Sequence, residues 1–495
     1  MKNTAGIYVK PGILLIILLS FFTFSENFYP LLNSDMAVNI LMTVSFSLPH
    51  DIYFWGQDRA GNLIPMIGHC LYMLTGFQPV ILVSIVHYLI LIAGFWALTR
   101  FVKTGYGRMV LALVWFFPPL HFLDFLLLVY GVQASCVLLS LNFLDRARCV
   151  HDKWKGLAWL SAACMMFIIT IWVSELAVVS ILALLITGTM YYRAARKAAA
   201  RPVSLRGNLT IVFCIVFWAA AGYLFLHYAK MVSLPVKYYN VSSPADVTSF
   251  LTNLNIVLDS VFRVFVFSSE SSIESVFAWM IFLSLLFLVF SKKQGHRTRP
   301  GIIDNPWFYF FLTETILTLI TVLTSSWVAA NGAGRRYFTT FYMSAFISLV
   351  LWLENLPAGR WKNQLLFAFA FTVIIGSVSG SLKYYYPEVK PSRIRVISAL
   401  RYMGNIGIIA EYWNAYLSAS PDPAHIKATP HDKEYVRNFE LAREVMEQPR
   451  IYIIREGMFR SFPDTVMQFG RTLKKKGPSF HLANSWFNRY EVIKK

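Results

Sequence analysis

Charge is what this sequence lacks. Of 495 residues only 14% are Asp, Glu, Lys or Arg, against about a quarter in soluble domains. Such a chain cannot clothe itself in a solvated surface, which excludes a freely soluble globule. Paired cysteines are missing too. Cys70, Cys136, Cys149, Cys164 and Cys214 are scattered, mostly inside apolar stretches, without the spacing of a zinc site or a disulfide framework, and they read as small core residues. No Walker loop, GxGxxG, HExxH or GxSxG motif occurs, which removes the usual nucleotide-binding, zinc-protease and serine-hydrolase classes. Acidic residues are few beside basic ones, 26 against 45, leaving a formal charge of +19. The basic residues fall in short clusters between apolar runs, which is how membrane topology is written and not how nucleic acid is bound.

What is abundant is hydrocarbon. The chain is 56% hydrophobic and 16% aromatic, with 41 Phe, 25 Tyr and 14 Trp, a composition suited to helices that meet lipid along their length and headgroups at their ends. Apolar runs near 11–28, 78–99, 107–119, 122–144, 157–172, 175–192, 209–228, 274–291, 307–328, 337–353 and 363–382 predict about eleven spans. Alternate turns hold the cations: Arg100, Lys103 and Arg108; Arg146, Arg148, Lys153 and Lys155; Arg193 to Arg206; Lys292 to Arg299; Arg360 and Lys362. The opposite turns are poor in them, so the N-terminus is expected inside and the C-terminus outside. The short Met1–Lys10 segment runs straight into the first span, and no small-residue cleavage site follows Phe24, so that span is expected to stay.

The expected organisation is a membrane domain over 1–382, with interfacial helices on its outer face near 25–77 and 231–273, and a small extracytoplasmic α/β domain over 383–495. Within the first outer segment, Met36, Ile40, Leu41, Val44 and Leu48 recur at helical spacing opposite Asn39 and Thr43, which predicts an amphipathic helix that Asp35 opens and Ser34 caps. Leu63–Leu74 and Val247–Val266 also read as helices. In the C-terminal region Arg393–Ser398, Arg450–Ile454 and Tyr490–Ile493 read as strands, and Glu434–Glu447 as a helix.

Ionisable groups at a membrane edge are costly and are usually functional or paired. Asp35, Asp51, Asp58, Arg59, His121, Asp124, Glu175, Arg335 and Arg336 all fall on the expected outer face. Carboxylates beside guanidinium groups describe a site able to deprotonate a hydroxyl while holding a phosphate. Structural roles compete at each position: Asp35 as a first-turn acid, Asp58 and Arg59 as a local ion pair, Arg335 and Arg336 as snorkelling residues, Glu175 as a turn marker. His50 and His69 with Asp51 lack a spacing that commits to a metal.

The first span, the long outer loop opening with Asn33-Ser34-Asp35, and the stretch from Tyr53-Phe54-Trp55-Gly56-Gln57-Asp58-Arg59 to Pro65 together resemble the polyprenol-linked sugar transferases of the GT-C class. That class includes the protein O-mannosyltransferases and the bacterial aminoarabinose transferase. Asn331-Gly332-Ala333-Gly334-Arg335-Arg336-Tyr337-Phe338 resembles the basic outer turn before a late helix in the class, and Glu411-Tyr412-Trp413-Asn414-Ala415-Tyr416 resembles a stretch of its terminal domains. The resemblance implies an enzyme of the bacterial inner membrane that moves a sugar from a polyprenyl-phosphate donor to a lipid, glycan or protein acceptor on the outer face. It implies no cofactor. Asp35 would be the general base, with Asp58 as a second catalytic candidate. Arg335 or Arg336, with Tyr337, would hold the donor phosphate, and transfer would invert the anomeric centre. Met36 follows Asp35 where several members have Asp-Glu. A transporter or lipid flippase, and a scaffold of this architecture without catalysis, remain as alternatives. Transport sites belong at the bilayer midplane on broken helices, whereas a transferase site belongs at the outer edge.

Overall fold

The computed structural model describes residues 4–119, 122–198, 205–234, 246–268, 272–291, 305–355, 360–385, 389–457 and 461–493. The chain is a polytopic α-helical membrane protein with a C-terminal sheet domain. Every expected span overlaps helix, although not always a single one. Among the described residues five helices are both long and apolar enough to cross a bilayer: Pro79–Thr99, Lys153–Val173, Leu209–Val232, Pro306–Leu323 and Arg335–Glu354. Shorter apolar helices include Val9–Phe24, Gly105–Phe116 and Ala177–Arg193. The run expected over 122–144 is not one helix. A short turn, Asp124–Leu127, ends where Leu128 adopts an extended backbone, and the long helix is Val129–Cys149.

The chain forms two compact units. One comprises Met1–Ser20, Leu91–Gly222 and Asn240–Glu388, and it is a helix bundle. Val129–Cys149 and Lys153–Val173 pair as a hairpin, and Pro306–Leu323 packs on both Ala177–Ala198 and Thr339–Glu354. Helix ends that cannot reach water find partners. The Glu354 carboxylate accepts from Lys103 N at 2.9 Å and Thr104 N at 2.8 Å, so the last turn of one helix caps the first turn of Gly105–Phe116. At Gly94 a Cβ would lie 2.4 Å from Ser135 Cβ, a helix approach that any larger residue would force apart.

The other unit comprises Phe21–Ile90, Tyr223–Tyr239 and Val389–Lys495. Its sheet has the order β2-β1-β3-β6-β5-β4, with β1 (Ile406–Ala410), β2 (Ile426–Pro430), β3 (Ile451–Ile454), β4 (Thr465–Gln468), β5 (Arg471–Leu482) and β6 (Ser485–Val492). β1 is parallel to β2 and β3, and the remaining pairs are antiparallel. The parallel part is built as βαβαβ, with Tyr412–Ala419 and Phe439–Glu447 as the crossover helices. Ile409, Val445, Ile451, Ile453, Leu473 and Tyr490 form its core.

Three local expectations change. The helix expected over Glu434–Glu447 begins only at Phe439, where Asn438 caps it by accepting from Leu441 N at 3.0 Å. Arg393–Ile397 is a helix and not a strand: Ser392 caps it by accepting from Arg395 N at 3.2 Å, and the buried Ile394 and Ile397 lie three residues apart, a helical and not a strand interval. The helix Ser34–Ser45 is capped by Asn33, whose side chain accepts from Met36 N at 3.2 Å, and not by Ser34. Nor does that helix keep one wet face. Thr43 is fully buried, while Leu48 lies beyond its end and is exposed. The reason is tertiary: the helix is wedged between Leu63–Thr75 and Tyr412–Ala419, which enclose it on both sides.

Candidate functional site

The chemically promising residues fall into two groups, one in each unit. In the sheet-containing unit the group centres on Asp35, in the first turn of Ser34–Ser45, where a carboxylate complements the helix dipole. Asp35 Oδ1 accepts from Arg437 Nη2 at 2.9 Å and from the Tyr412 hydroxyl. The same hydroxyl accepts from Arg437 Nε, which closes a three-membered ring of charge-assisted bonds. The Arg437 side chain is 6% exposed and that of Asp35 21%, so the guanidinium is the enclosed partner and the carboxylate the one that reaches the surface. Burial first, then the neighbouring Asp35 charge, raises the Tyr412 phenol far above its ordinary range. It therefore acts as a fixed O–H donor.

Each member is held from its own element. Tyr412 opens a crossover helix whose first N–H groups meet carboxylates: Tyr412 N donates to Glu434 Oε2 at 2.5 Å, and Glu411 N donates to Glu456 Oε2 at 2.7 Å. Arg437 N donates to the Tyr416 hydroxyl at 2.8 Å, and its guanidinium lies over the rings of Phe54 and Tyr412, 5.1 and 5.2 Å from their centroids.

Phe54 belongs to a closed turn, pinned where Phe54 N donates to Ala60 O at 2.8 Å and Tyr53 bridges Gly61. Asp58 and Arg59 sit half-exposed on its rim. The buried Asp51 builds the turn, accepting from Ser47 N at 2.7 Å and Trp55 Nε1 at 3.0 Å, and burial raises its carboxyl above the usual range. His69 Nδ1 donates to Thr43 O at 2.9 Å, so it serves the helix contact.

In the helix-bundle unit the group lies where Arg335–Phe338 forms a 3₁₀ turn before Thr339–Glu354. Arg335 Nη2 reaches Glu274 Oε1 at 3.4 Å, and Arg336 Nη2 donates to the Tyr337 hydroxyl at 3.0 Å with its guanidinium 5.0 Å from that ring's centroid. Both arginines act on Asp124, the charge of Arg336 more than that of Arg335. Three expected site residues, Asp124, Arg335 and Arg336, thus share one electrostatic neighbourhood, with Tyr337 bound to it. Glu175 is exposed on the turn between Lys153–Val173 and Ala177–Ala198. His121 lies outside the described residues.

No protein-family model matches the chain, and no curated protein sequence does. Solved structures do. ArnT from Cupriavidus metallidurans bound to undecaprenyl phosphate matches over 98% of this chain and 98% of its own, with a TM-score of 0.55 at 8% identity. The chain has the fold of ArnT. At that identity the likeness speaks to architecture, and it agrees with the GT-C resemblance drawn from the first loop. The Archaeoglobus fulgidus oligosaccharyltransferase in its apo form also matches, over 91% of this chain and 69% of its own, with a TM-score of 0.42 at 11% identity.

Sequence reasoning missed Arg437 and the role of Tyr412. Tyr412 stands inside the Glu411–Tyr416 stretch already singled out. Arg437 carried no signal, since one more arginine in a charged terminal region looks like a solvated residue until the fold buries it.

Proposed function

We propose that this chain is a membrane glycosyltransferase that moves a sugar from a polyprenyl-phosphate donor to an acceptor hydroxyl or amine on the outer face of a bacterial inner membrane, with its N-terminus cytoplasmic. The observation that carries the reading is the Asp35 carboxylate, fixed through one oxygen by Tyr412 and Arg437 and still reaching the surface, in a chain with the fold of a transferase whose structure holds undecaprenyl phosphate.

In this reading Asp35 takes the acceptor proton. The acceptor atom then bonds to the anomeric carbon as the bond from that carbon to the phosphate oxygen breaks, and the electron pair leaves with the polyprenyl phosphate. Attack opposite the phosphate inverts the centre. Tyr412 and Arg437 occupy Oδ1 and so hold the carboxylate's orientation, leaving Oδ2 for the proton. Arg335 and Arg336 are assigned to the donor phosphate, because a guanidinium can bind phosphate oxygens in bidentate fashion. Asp58 is the next candidate carboxylate.

Purified full-length protein should transfer sugar from at least one member of a panel of polyprenyl-phosphate sugars, with the product's anomeric configuration read by NMR. Absence of transfer and of donor hydrolysis across the panel, from protein that binds undecaprenyl phosphate, would leave a scaffold instead of an enzyme.

A further inference from the structure

The helix bundle contains a cavity that the proposed reaction does not use. It has a volume of about 670 Å³ and lies among the C-terminal end of Val129–Cys149, the start of Lys153–Val173, the middle of Ala177–Ala198, the second turn of Leu205–Val232 and the start of Pro306–Leu323. Leu157, Leu160, Leu184, Ile211, Trp307 and Phe310 give it an apolar wall. Arg148, Lys153, Asp145 and Asp152 stand at its polar edge.

The acids there are already engaged. Asp145 holds Arg100 Nε at 2.8 Å and Arg148 Nη2 at 3.2 Å, and Asp152 caps its helix by accepting from Lys155 N at 2.9 Å. The cations are the exposed groups. Arg148 is 59% exposed although paired, and Lys153 is exposed with no ion pair among the described residues. An apolar recess lined in part by exposed cations fits an alkyl chain that carries a phosphate. Basic pockets between membrane helices bind anionic lipid headgroups on this principle.

The position says which lipid. Asp124 precedes the N-terminal end of Val129–Cys149, and Arg148 lies in its last turn. That helix has 21 residues, so its ends are about 30 Å apart, one hydrocarbon thickness. A phosphate at Arg148 and Lys153 is therefore in the other leaflet from one at Asp124, Arg335 and Arg336. We propose that the cavity is a site for an anionic glycerophospholipid of that other leaflet, one acyl chain along Leu157, Leu184 and Trp307 and the headgroup phosphate at Arg148 and Lys153.

The test uses delipidated full-length protein in detergent, titrated separately with dioleoyl phosphatidylglycerol, dioleoyl phosphatidylcholine and undecaprenyl phosphate, with bound lipid counted by native mass spectrometry. One phosphatidylglycerol should bind more tightly than phosphatidylcholine. The double substitution Arg148→Gln, Lys153→Gln should weaken it roughly thirtyfold, because each basic residue near a membrane surface contributes about a fivefold attraction to anionic lipid. Gly188→Phe should block it from within: Gly188 lines the cavity, and a Cβ there meets nothing within 4 Å. If that variant fails to fold, the charge-neutralising pair still decides. Unchanged phosphatidylglycerol binding in the double variant overturns the site. Loss of undecaprenyl phosphate binding in the same variant, with phosphatidylglycerol unaffected, overturns the choice of lipid.

Discussion

Replacing Asp35 by Asn tests two things at once, and the structure says how to separate them. Asparagine keeps an oxygen for the Tyr412 hydroxyl and for Arg437 Nη2, but it removes the counter-charge of a guanidinium that is only 6% exposed. Removing one partner of a fully buried pair costs about 3–5 kcal/mol. Asp35 retains 21% exposure, so water recovers part of this and a loss of about 2 kcal/mol is expected. Arg437→Gln should cost about the same or slightly more, since it also removes the Nε donor to Tyr412. The double variant Asp35→Asn, Arg437→Gln has neither charge stranded and should fall short of the sum by about 1–2 kcal/mol.

At about 2–4 °C per kcal/mol for a unit of this size, each single variant should melt roughly 4–8 °C below the parent in detergent. The assay is a thermal-melt cycle on the four proteins, paired with sugar transfer measured well below every melting point and normalised to folded protein. If Asp35 is the base, both variants lacking it lose at least about a hundredfold in turnover, whereas Arg437→Gln keeps a measurable rate. Additivity within about 0.5 kcal/mol would refute the coupling between Asp35 and Arg437. Near-parental turnover in Asp35→Asn would make the carboxylate structural and move the search to Asp58.

Three further outcomes are expected. Arg335→Lys or Arg336→Lys should weaken undecaprenyl phosphate binding several-fold, because a point charge replaces a planar fork; unchanged affinity in both single variants and in the double alanine variant would reassign the pair to headgroup contact. His431 is buried in the sheet domain, and burial lowers its imidazole to about 4 against opposing pulls from Gln468 and Asp432. The unfolded chain then binds the proton more tightly, so stability is complete above about pH 6.5 and is lost as pH falls from there towards 4, by roughly 3 kcal/mol; melting temperatures at pH 7 and pH 5 should differ more in the parent than in His431→Gln. Reporter fusions at Gly295 and Lys495 should give opposite compartments, and agreement between them would reverse the parity of the spans.

Legibility tracked the range of the interaction that decides each feature. Membrane helices were readable because an apolar run of helical length is decided by the solvent around it, and each expected span overlaps helix. The break at Leu128 was not, because Phe125 to Val129 is apolar throughout and nothing local marks where the backbone turns extended. The Arg393–Ile397 helix was misread because Arg393 to Val396 alternate in polarity as a strand would, while Ser392, one residue outside the window, supplied the cap that decided it. Arg335, Arg336 and Asp124 were legible as cations and a carboxylate on the same expected face. Their shared neighbourhood follows from helix ends, which topology fixes. Asp35 was legible for the same reason, standing just beyond a span. Its partners were not, since Arg437 is 402 positions away along the chain and is delivered by a crossover helix junction that exists only once β1, β2 and β3 have paired. The carboxylate proposed as base can therefore be nominated from the loop that carries it, but the groups that bind it come from the terminal domain. This makes that domain's folding a condition of the proposed activity: a variant that unfolds the sheet should release Asp35 from Tyr412 and Arg437 even though its own helix remains capped by Asn33.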